Sequence, residues 1–519
     1  MKKTIILLIA FSLGLSACRK EAQPEISDPI AGAEVLSSDK DILQFKFEAK
    51  NNPQQLLEDM ECHISVADNQ IIGWVPYLGS DRSLVATFGI NGTQLTVQGT
   101  TQESGVSRND YTRPVTFTVK AQDSTTREYT VTLYSFTGLP VLYLETEAPI
   151  TSKEDYVKGK VIIDANSRYP QAVTEMAMEM RGRGNSTWLL AKKPYRIKLD
   201  KKAEMLGMPA AKKWELLANF ADKTLIRNYL GLEVARRFGT AFTPRARYVE
   251  VVLNGEYMGN YLMTDHVEIG PTRVNIPELS PSTPEADVSG GYLLEVDEKL
   301  DEVNWFRSTL QVPFTIKSPE NITIGQLNYI KNYLQQIENA LYSPGFLDPQ
   351  TGYSQYINEE TFINWYLVNE LMKNNDAIFF SSVFMYKERN GKLSMGPVWD
   401  FDLAAGNNIF NGNNSPYGWW IRQAIWINRM FDDPAFKQKV KDRWNALKNE
   451  QVNTLFAFIN ETAEYLKRSQ KENFNKWGVL YNYTWVEPTV MGSYESEVQY
   501  MKQWLQKRIN WMDAAINAN

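Results

Sequence analysis

Apolar and polar residues alternate along the first part of the chain, whereas apolar residues recur at helical spacing along its last part. Between residues 32 and 137, short alternating runs are separated by Gly, Asn, Pro and Asp. Period-two alternation with frequent turns predicts β-strands, and the clearest runs are residues 84–88, 116–120 and 128–133. We therefore expect a small β-sandwich over residues 32–137.

A second β-rich stretch follows the boundary sequence Gly138-Leu139-Pro140. Residues 247–253 and 257–263 have the composition of strands, and Asn254-Gly255 stands between them. Asn-Gly is the pair that a two-residue type I′ turn favours, because both of its residues need a positive φ. The pattern predicts a β-hairpin here.

Helical spacing marks five later stretches. Asp222 is expected to cap the first helix, which runs to about Phe238 with Gly239 just past its end. The other four stretches are residues 326–341, 359–373, 434–447 and 495–515. A β-rich half followed by a helix-rich half predicts an α+β fold with two lobes over residues 138–519.

The first residues have the pattern of an export signal. Two lysines precede an apolar run over residues 5–15, and Leu15-Ser16-Ala17-Cys18 follows. This pattern predicts a signal peptide over residues 1–17, and the run is too short to span a bilayer, which takes about 20 apolar residues. The alternative is an ordinary secretory signal that ends at Ala17.

Leu-Ser-Ala-Cys resembles the lipobox of bacterial lipoproteins. The resemblance implies a lipid on Cys18, a polar tether over residues 18–31, and a lipid-anchored protein at the cell envelope, in the outer membrane. If Cys18 carries lipid, Cys62 has no disulfide partner, because the chain has two cysteines. The net charge of -6 without a long basic run argues against a nucleic-acid partner. With two histidines in the chain, a histidine-rich metal site is also improbable.

Two carboxylates stand close together at Pro397-Val398-Trp399-Asp400-Phe401-Asp402. If this segment is a strand, Asp400 and Asp402 point to the same side. Neighbouring carboxylates repel each other unless a proton or a cation lies between them, and Mg²⁺ binds carboxylate and phosphate oxygens. The pattern predicts a metal site, with an ordinary turn before a helix as the alternative.

A loop aspartate precedes this pair. Asp376 follows a predicted helix, Ser381-Ser382 comes five residues later, and a predicted hairpin with Asn390-Gly391 at its turn leads to Asp400. Protein kinases have the same order of a catalytic-loop Asp, a polar metal ligand, and a hairpin that ends in a metal-binding Asp. The order therefore indicates phosphoryl transfer.

Six segments carry a further likeness: RGRGNSTW (181–188), KKPYRIKLDKK (192–202), MLGMPAAKKWELLANFADKTLIRN (205–228), VVLNGEYMGNYLMTDHVE (251–268), GGYLLEVD (290–297) and GPVWDFDLAAGN (396–407). On these segments the chain resembles the CotH kinase family, from about residue 140 to residue 515. The resemblance implies an atypical kinase-like fold and transfer of phosphate from ATP, with Mg²⁺ or Mn²⁺, to Ser or Thr of a protein substrate at the envelope. Residues 32–137 resemble the immunoglobulin-like modules of Bacteroidetes surface lipoproteins.

The resemblance assigns roles on the metal side of the site. Asp400 takes the place of the metal-binding Asp, and Asp402 is expected to share the metal. Asp376 takes the catalytic-loop place, where it orients the acceptor hydroxyl and accepts its proton. Ser381 stands where many members have Asn, so the resemblance implies a weaker ligand for a second metal.

On the phosphate side, the arginines Arg181 and Arg183 flank Gly182 in a glycine-rich segment. Their guanidinium groups and flexible backbone N–H groups suit phosphate oxygens. By analogy with kinases, Lys198 is expected to contact phosphate and Glu233 to pair with Lys198. An exposed lysine on an amphipathic strand is the alternative for Lys198.

Two other functions stay open at this stage. A surface protein that keeps the kinase-like fold without catalysis would bind carbohydrate or peptide on the aromatic loop from Ile409 to Trp426, which contains Tyr417, Trp419 and Trp420. The alternative for that loop is a tryptophan-rich core. A glycosidase pair at Asp400 and Asp402 fits poorly, since glycosidase carboxylates flank the bond from opposite sides of the sugar.

Overall fold

The structure is a computed structural model that describes residues 35–79 and 81–518. The expected signal peptide, the tether and Cys18 lie outside the described residues. Within those two ranges, no helix is both long and apolar enough to cross a membrane.

Twenty-three strands occur in the described residues. Most of them precede residue 320, as the alternating pattern predicts. They are β1 (Ile42–Phe47), β2 (Met60–Glu61), β3 (His63–Ser65), β4 (Gln70–Val75), β5 (Ser83–Val85), β6 (Thr87–Ile90), β7 (Gln94–Val97), β8 (Thr100–Thr101), β9 (Arg108–Asp110), β10 (Val115–Lys120), β11 (Thr126–Ser135), β12 (Val141–Thr146), β13 (Val157–Asp164), β14 (Thr174–Gly182), β15 (Tyr195–Met205), β16 (Met208–Leu217), β17 (Ala246–Leu253), β18 (Glu256–Asp265), β19 (Tyr292–Val296), β20 (Trp305–Arg307), β21 (Pro313–Ser318), β22 (Val383–Lys387) and β23 (Leu393–Met395).

Eight α-helices occur in the same residues, and seven of them follow residue 320. They are α1 (Arg227–Arg237), α2 (Ile324–Tyr342), α3 (Glu359–Met372), α4 (Ile425–Met430), α5 (Pro434–Leu447), α6 (Leu455–Tyr465), α7 (Lys467–Trp477) and α8 (Tyr494–Asn517).

The first eleven strands form three sheets, with strand orders β2-β1-β6, β3-β4-β11-β10-β7-β8 and β5-β9. Their inward side chains form one apolar core, to which Phe45, Phe117 and Val131 contribute with almost no exposed surface. The one parallel pair among these named strands is β4 with β11. This part is β-rich, as the alternation predicts.

The next seven strands close a barrel in the order β12-β13-β14-β15-β16-β18-β17. The parallel pairing of β12 with β17 closes it. Apolar side chains such as Ile197, Trp214 and Val251 fill its interior, so polar neighbours at alternate positions point outward. The outward row Arg181, Arg196 and Glu215 is formed by direct cross-strand pairs at one rim of the barrel.

A five-stranded sheet, β20-β21-β19-β22-β23, and the helices share a second, larger core. Helix α3 is buried over nearly its whole length and runs between α1, α5, α8 and the sheet. The loops that follow α3 and β23 therefore both begin at the same buried region. This placement brings the two aspartate motifs of the sequence into one site.

Several local predictions are confirmed. Strands β17 and β18 form the expected hairpin, and Asn254 and Gly255 both have positive φ, of 51° and 83°. The helices predicted at 326–341, 359–373, 434–447 and 495–515 correspond to α2, α3, α5 and α8.

The start of α1 differs from its prediction. The helix begins at Arg227, five residues after Asp222, and Ile226 occupies the cap position. Asp222 instead accepts the backbone N–H groups of Thr224 and Arg227, at 2.9 and 2.8 Å. Its carboxylate thus accepts backbone N–H groups at the start of α1, although Asp222 itself lies in a turn that precedes the helix. The Asp222 side chain is wholly buried.

A buried ion pair joins the N-terminal sheets to the barrel. The Arg82 and Asp164 side chains are each 1% exposed and approach to 2.5 Å. Arg82 also donates to Asn166 Oδ1 at 2.7 Å, and that oxygen accepts the Ser135 N–H at 2.8 Å. The contact is specific, because charges that leave water must be compensated by a partner in good geometry.

Removing one partner is therefore expected to be costly. Arg82→Met leaves Asp164 buried and unpaired, which should lower the free energy of unfolding by about 3–5 kcal/mol. Urea titration followed by tryptophan fluorescence measures this loss. The exposed Arg113→Met is the control and should change it by less than about 0.5 kcal/mol.

The double variant Arg82→Met with Asp164→Leu tests the physical reason. It removes both charges and should recover much of the lost stability. A single Arg82→Met variant as stable as the wild type would show that the pair does not hold the two parts together.

Candidate active site

A cavity of about 390 Å³ lies between the barrel rim and the helix-rich part. The barrel contributes the glycine-rich segment at the end of β14, where Arg181 belongs to the strand and Arg183 follows it. The opposite wall contains Asp376, Asp400 and Asp402. The cavity thus brings together six of the eight predicted catalytic, metal and phosphate-contacting residues, and the sixth is Ser381.

Asp400 and Asp402 lie in a loop and not in a strand, so the prediction of a strand with both carboxylates on one side is wrong. Strand β23 ends at Met395, and Asp400 has a left-handed φ of 64°. The loop is held by α1 instead. Asn228 donates to Asp402 Oδ1 at 2.8 Å and accepts the Phe401 N–H at 2.8 Å.

The ring of Phe401 fixes the same loop from the other side. It is wholly buried and packs on the backbone of α1 at Gly231, where an added Cβ would lie 2.3 Å from the ring. Only a residue without a side chain leaves room for this ring. Phe401 therefore holds the two neighbouring aspartates against the helix.

The surroundings of the Asp402 side chain disfavour its negative charge. Burial raises the pKa of Asp402 well above its ordinary value, and the charges of Asp400 and Asp222 raise it further. The Arg183 guanidinium lowers it, without reversing the shift. A carboxylate among carboxylates holds either a proton or a cation.

Asp376 lies beyond the end of α3, in the segment that the kinase order predicts. Its carboxylate accepts a hydrogen bond from Asn375 Nδ2 at 2.7 Å. Burial raises its pKa to about 6, and the Asp400 charge raises it too, while Asn375 and Lys299 act in the opposite direction. A carboxylate with such a pKa is suited to accept a proton near neutral pH.

The two serines of this wall have different partners from those expected. Ser381 Oγ donates to Asp297 Oδ1 at 3.0 Å, whereas Ser382 Oγ lies 3.4 Å from Asp400 Oδ2. Ser382 has a left-handed φ of 59°, which turns it rather than Ser381 toward Asp400. The expected pairing of Ser381 with the Asp400 metal site is therefore not formed.

Glu215 is the centre of the barrel wall. It is 1% exposed and lies 2.8 Å from Arg183 Nε, 2.8 Å from Arg196 Nε and 2.7 Å from His266 Nδ1. Burial raises its pKa, but Arg196 and Arg183 outweigh burial, so the pKa stays below its ordinary range. The pKa of His266 falls to about 3, through burial first and Arg196 second. The histidine is neutral and the wall is a fixed array of two guanidinium groups.

Arg181 lies at the edge of the same wall. Its Nη1 donates to the Glu154 carbonyl oxygen at 3.2 Å, and its guanidinium lies 4.8 Å from the centre of the Tyr156 ring. Arg183, deeper in the cavity, lies 5.5 Å from the centre of the Trp399 ring. Both predicted arginines thus line the cavity with planar groups held by neighbouring rings.

The predicted Lys198–Glu233 pair is not formed. Lys198 Nζ contacts Glu179 Oε1 at 2.6 Å on the outside of the barrel. Glu233 contacts Arg236 and Arg237 of its own helix, at 2.6 and 2.7 Å. Neither residue lines the cavity, so the assignment of both to phosphate binding is corrected.

Arg196 and Glu215 are the residues that sequence reasoning missed. Arg196 stands two positions before Lys198, so both point outward from β15, but Arg196 lies one row nearer the rim. The rim row Arg181, Arg196, Glu215 continues across three strands. The register, which only strand pairing reveals, decides which cation reaches the cavity.

The aromatic loop 409–426 is mostly part of the core. Trp426 is wholly buried, and the Trp419 ring packs on Trp511 with centroids 4.7 Å apart. Trp420 Nε1 donates to the Asn375 carbonyl at 2.9 Å, while Tyr417 is 54% exposed. Its tryptophans therefore do not form the exposed stacking surface that the binding-protein hypothesis needs.

The donor set at Asp400 and Asp402 fits a divalent cation that is shared with phosphate. Within the described parts of the chain, no three His, Cys, Asp or Glu side chains form a complete protein metal site. Mg²⁺ commonly uses one or two carboxylates together with substrate phosphates and water. The clustered charge that raises the pKa of Asp402 is what such a cation would neutralise.

These features agree with the family comparison. Residues 180–512, more than half of the chain, match the model of the CotH kinase protein family. The chain belongs to the CotH kinase family. Residues 42–133 match the SGBP N-terminal model, which indicates a surface-associated protein of the Bacteroidetes type.

The chain has weak similarity to individual known proteins. No curated protein matches the chain. Among solved structures, a candidate glycoside hydrolase from Bacteroides thetaiotaomicron is 17% identical with a TM-score of 0.15. The match covers 36% of this chain and 53% of that chain, about half its length.

The contact between Phe401 and Gly231 gives a test of how the aspartate loop is held. Gly231→Ala places a methyl group where the ring lies, so it should destabilise the protein by about 1–3 kcal/mol and displace Asp400 and Asp402. Thermal unfolding measures the first effect.

Gly325→Ala in α2 is the matched control, since its nearest neighbour atom would lie 4.0 Å from the new Cβ. It should stabilise the protein by about 0.5–1 kcal/mol, as alanine in a helix does. If Gly231→Ala unfolds at or above the wild-type temperature, the packing of the Phe401 ring does not depend on Gly231.

Proposed function

We propose that the protein is an atypical kinase that transfers the γ-phosphoryl group of ATP to a Ser or Thr hydroxyl of a protein at the cell envelope. The observation that carries the proposal is one cavity with two fixed arginines on one wall and three aspartates on the other. Phosphoryl transfer needs positioning and charge stabilisation more than covalent chemistry. Membership of the CotH kinase family supports the same function.

The proposal assigns the barrel and the helix-rich part to the two lobes of a kinase-like fold. In this reading the barrel wall with Arg181, Arg183 and Arg196 contacts the phosphates. Arg183 and Arg196 keep their positions without ligand because Glu215 already holds them. A preorganised wall costs little reorganisation when phosphate enters.

On the opposite wall, Asp400 and Asp402 would hold Mg²⁺ or Mn²⁺, which neutralises phosphate charge when bound. Asn228 orients Asp402, and Phe401 holds the loop. Asp376 would orient the acceptor hydroxyl and accept its proton. Ser382, which lies 3.4 Å from Asp400, replaces Ser381 as the polar side chain nearest the metal position.

The SGBP-type N-terminal match supports a place at the cell surface, with the lipid on Cys18 as the proposed anchor. It also favours a second candidate function, a surface protein that binds its partner without catalysis. The loop 409–426 does not give this second candidate the aromatic binding surface expected for it, because Trp419, Trp420 and Trp426 pack inward. Metal-dependent nucleotide binding distinguishes the two candidates.

Two aspartate variants test the division of roles. Asp400→Asn removes the charge at the metal position, so it should abolish the rise in melting temperature that Mg²⁺ and ATP produce in the wild type. Asp376→Asn should keep most of that rise and lose transfer, by about 10²–10⁴-fold in rate. Differential scanning fluorimetry and phosphate transfer from labelled ATP to casein, a generic acceptor, measure the two effects.

Asp442→Asn, an exposed position on α5, is the control and should match the wild type in both assays. A wild-type protein with neither metal-dependent ATP binding nor transfer would refute the kinase function. The non-catalytic surface protein would then be the better description.

The pKa of Asp376 gives a pH prediction. A general base works only when it is deprotonated, so kcat/KM should fall tenfold per pH unit below its pKa. Burial and Asp400 raise this pKa from 3.8 to about 6, and a cation at Asp400 would offset part of the second cause. The acid limb of the pH–rate profile should therefore have its midpoint between 3.8 and about 6. An Asp376→Asn variant with the same acid limb would exclude Asp376 as the titrating base.

A further inference from the structure

The acceptor end of the cavity is rich in carboxylates. Asp376, the proposed base, defines this end, and Asp297, Asp301 and Glu302 line the same cavity. A transferred phosphoryl group spreads negative charge over its oxygens, so this end needs a cation that is free to contact it. The cations that line the cavity differ in whether a carboxylate already holds them.

Most of these cations are already paired. Arg183 and Arg196 are held by Glu215, and Arg181 lies 3.7 Å from Glu154. Lys317, which also lines the cavity, is paired with Glu295 and Glu302. Lys153 has no carboxylate within 4.0 Å among the described residues, but its ammonium group donates to Asn185 Oδ1 at 3.3 Å, on the barrel side of the cavity.

Lys299 is different. It lines the cavity, its side chain is exposed, and no carboxylate of residues 35–79 or 81–518 lies within 4.0 Å of its ammonium group. Its charge acts on Asp376, although it is outweighed by burial and by Asp400. Lys299 is therefore an unneutralised cation beside the proposed base.

The backbone fixes where Lys299 stands. Its loop follows β19, and the neighbouring Glu298 N–H donates to the Phe380 carbonyl at 2.8 Å. Asp297 Oδ1 accepts from Ser381 Oγ at 3.0 Å and from the Lys299 N–H at 3.2 Å. The Asp297–Ser381 bond and the Glu298–Phe380 bond thus tie this loop to the segment that carries Asp376.

We propose that Lys299 is a catalytic residue whose ammonium group donates hydrogen bonds to the non-bridging oxygens of the phosphoryl group during transfer. This inference rests on the kinase function proposed above. It also gives Ser381 a role, since that residue holds the Lys299 loop through Asp297 rather than the metal.

The step balances without any further reactant. The acceptor hydroxyl oxygen bonds to the γ-phosphorus while the bond from that phosphorus to the β–γ bridging oxygen breaks. The bond's electron pair leaves with ADP, and the hydroxyl proton passes to Asp376. Lys299 keeps its proton throughout and stabilises charge on the phosphoryl oxygens alone.

The experiment measures kcat and KM for ATP with the purified full chain, Mg²⁺ and casein as acceptor. Lys299→Met should lower kcat by about 10²–10³-fold, as loss of one preorganised donor does, and change KM for ATP less than about threefold. Lys299→Arg keeps the charge and should recover at least about tenfold of the loss in kcat. Lys201→Met, an exposed change on β15, is the control and should match the wild type.

The outcomes separate this inference from the kinase function. If the wild type transfers phosphate and Lys299→Met retains kcat within about threefold, Lys299 is not catalytic and the kinase function stands. A raised KM with unchanged kcat would likewise overturn the catalytic role, because it indicates ground-state binding. A wild type without transfer or Mg·ATP binding refutes both.

Discussion

A carboxylate taken out of water must find a partner, and Asp222 shows how much of the site depends on this constraint. It is wholly buried and lies 2.5 Å from Arg227, whose guanidinium also donates to the Ala404 carbonyl at 3.1 Å. One ion pair thus connects the turn after β16, the start of α1 and the loop that follows Asp402. If the aspartate loop left α1, the hydrogen bond between the buried Arg227 guanidinium and the Ala404 carbonyl would be lost, at a cost of about 1–3 kcal/mol for the unsatisfied group.

The carboxylates near the cavity fall into two groups by the same rule. Glu215 has two guanidinium partners, and its pKa stays low despite burial, so it serves as a fixed structural anion. Asp402 has neighbouring carboxylates instead, and burial, Asp400 and Asp222 together raise its pKa. The pairing of Glu215 with arginines stabilises the folded protein, whereas the clustering of carboxylates around Asp402 destabilises it. A carboxylate in a cleft whose pKa is strongly raised by burial and by neighbouring charges marks a candidate functional site.

The elements with strong local signals could be predicted from the sequence. Asn254-Gly255 predicts the hairpin, because the turn needs a positive φ at both residues, and apolar spacing predicts α2, α3, α5 and α8 but not α4, α6 and α7. Arg196 could not be preferred over Lys198, since both alternate outward on one strand and only the register places Arg196 at the rim. Nor does a sequence pattern reveal the left-handed φ values of Ser382 and Asp400, which decide which hydroxyl faces the metal position. Those choices depend on tertiary packing.

The two walls of the cavity match a ligand that is charged in two ways. The arginine wall is cationic and rigid, because Glu215 holds Arg183 and Arg196 before any ligand arrives. The aspartate wall is anionic and short of a counter-charge. A free nucleotide would leave the aspartates repelling its phosphates, and a free cation would leave the arginine wall with a net positive charge, because the single carboxylate of Glu215 offsets one of its two guanidinium groups. Under the proposed kinase function, a metal–nucleotide complex would satisfy both walls at once, so each component should strengthen the binding of the other, as linkage requires.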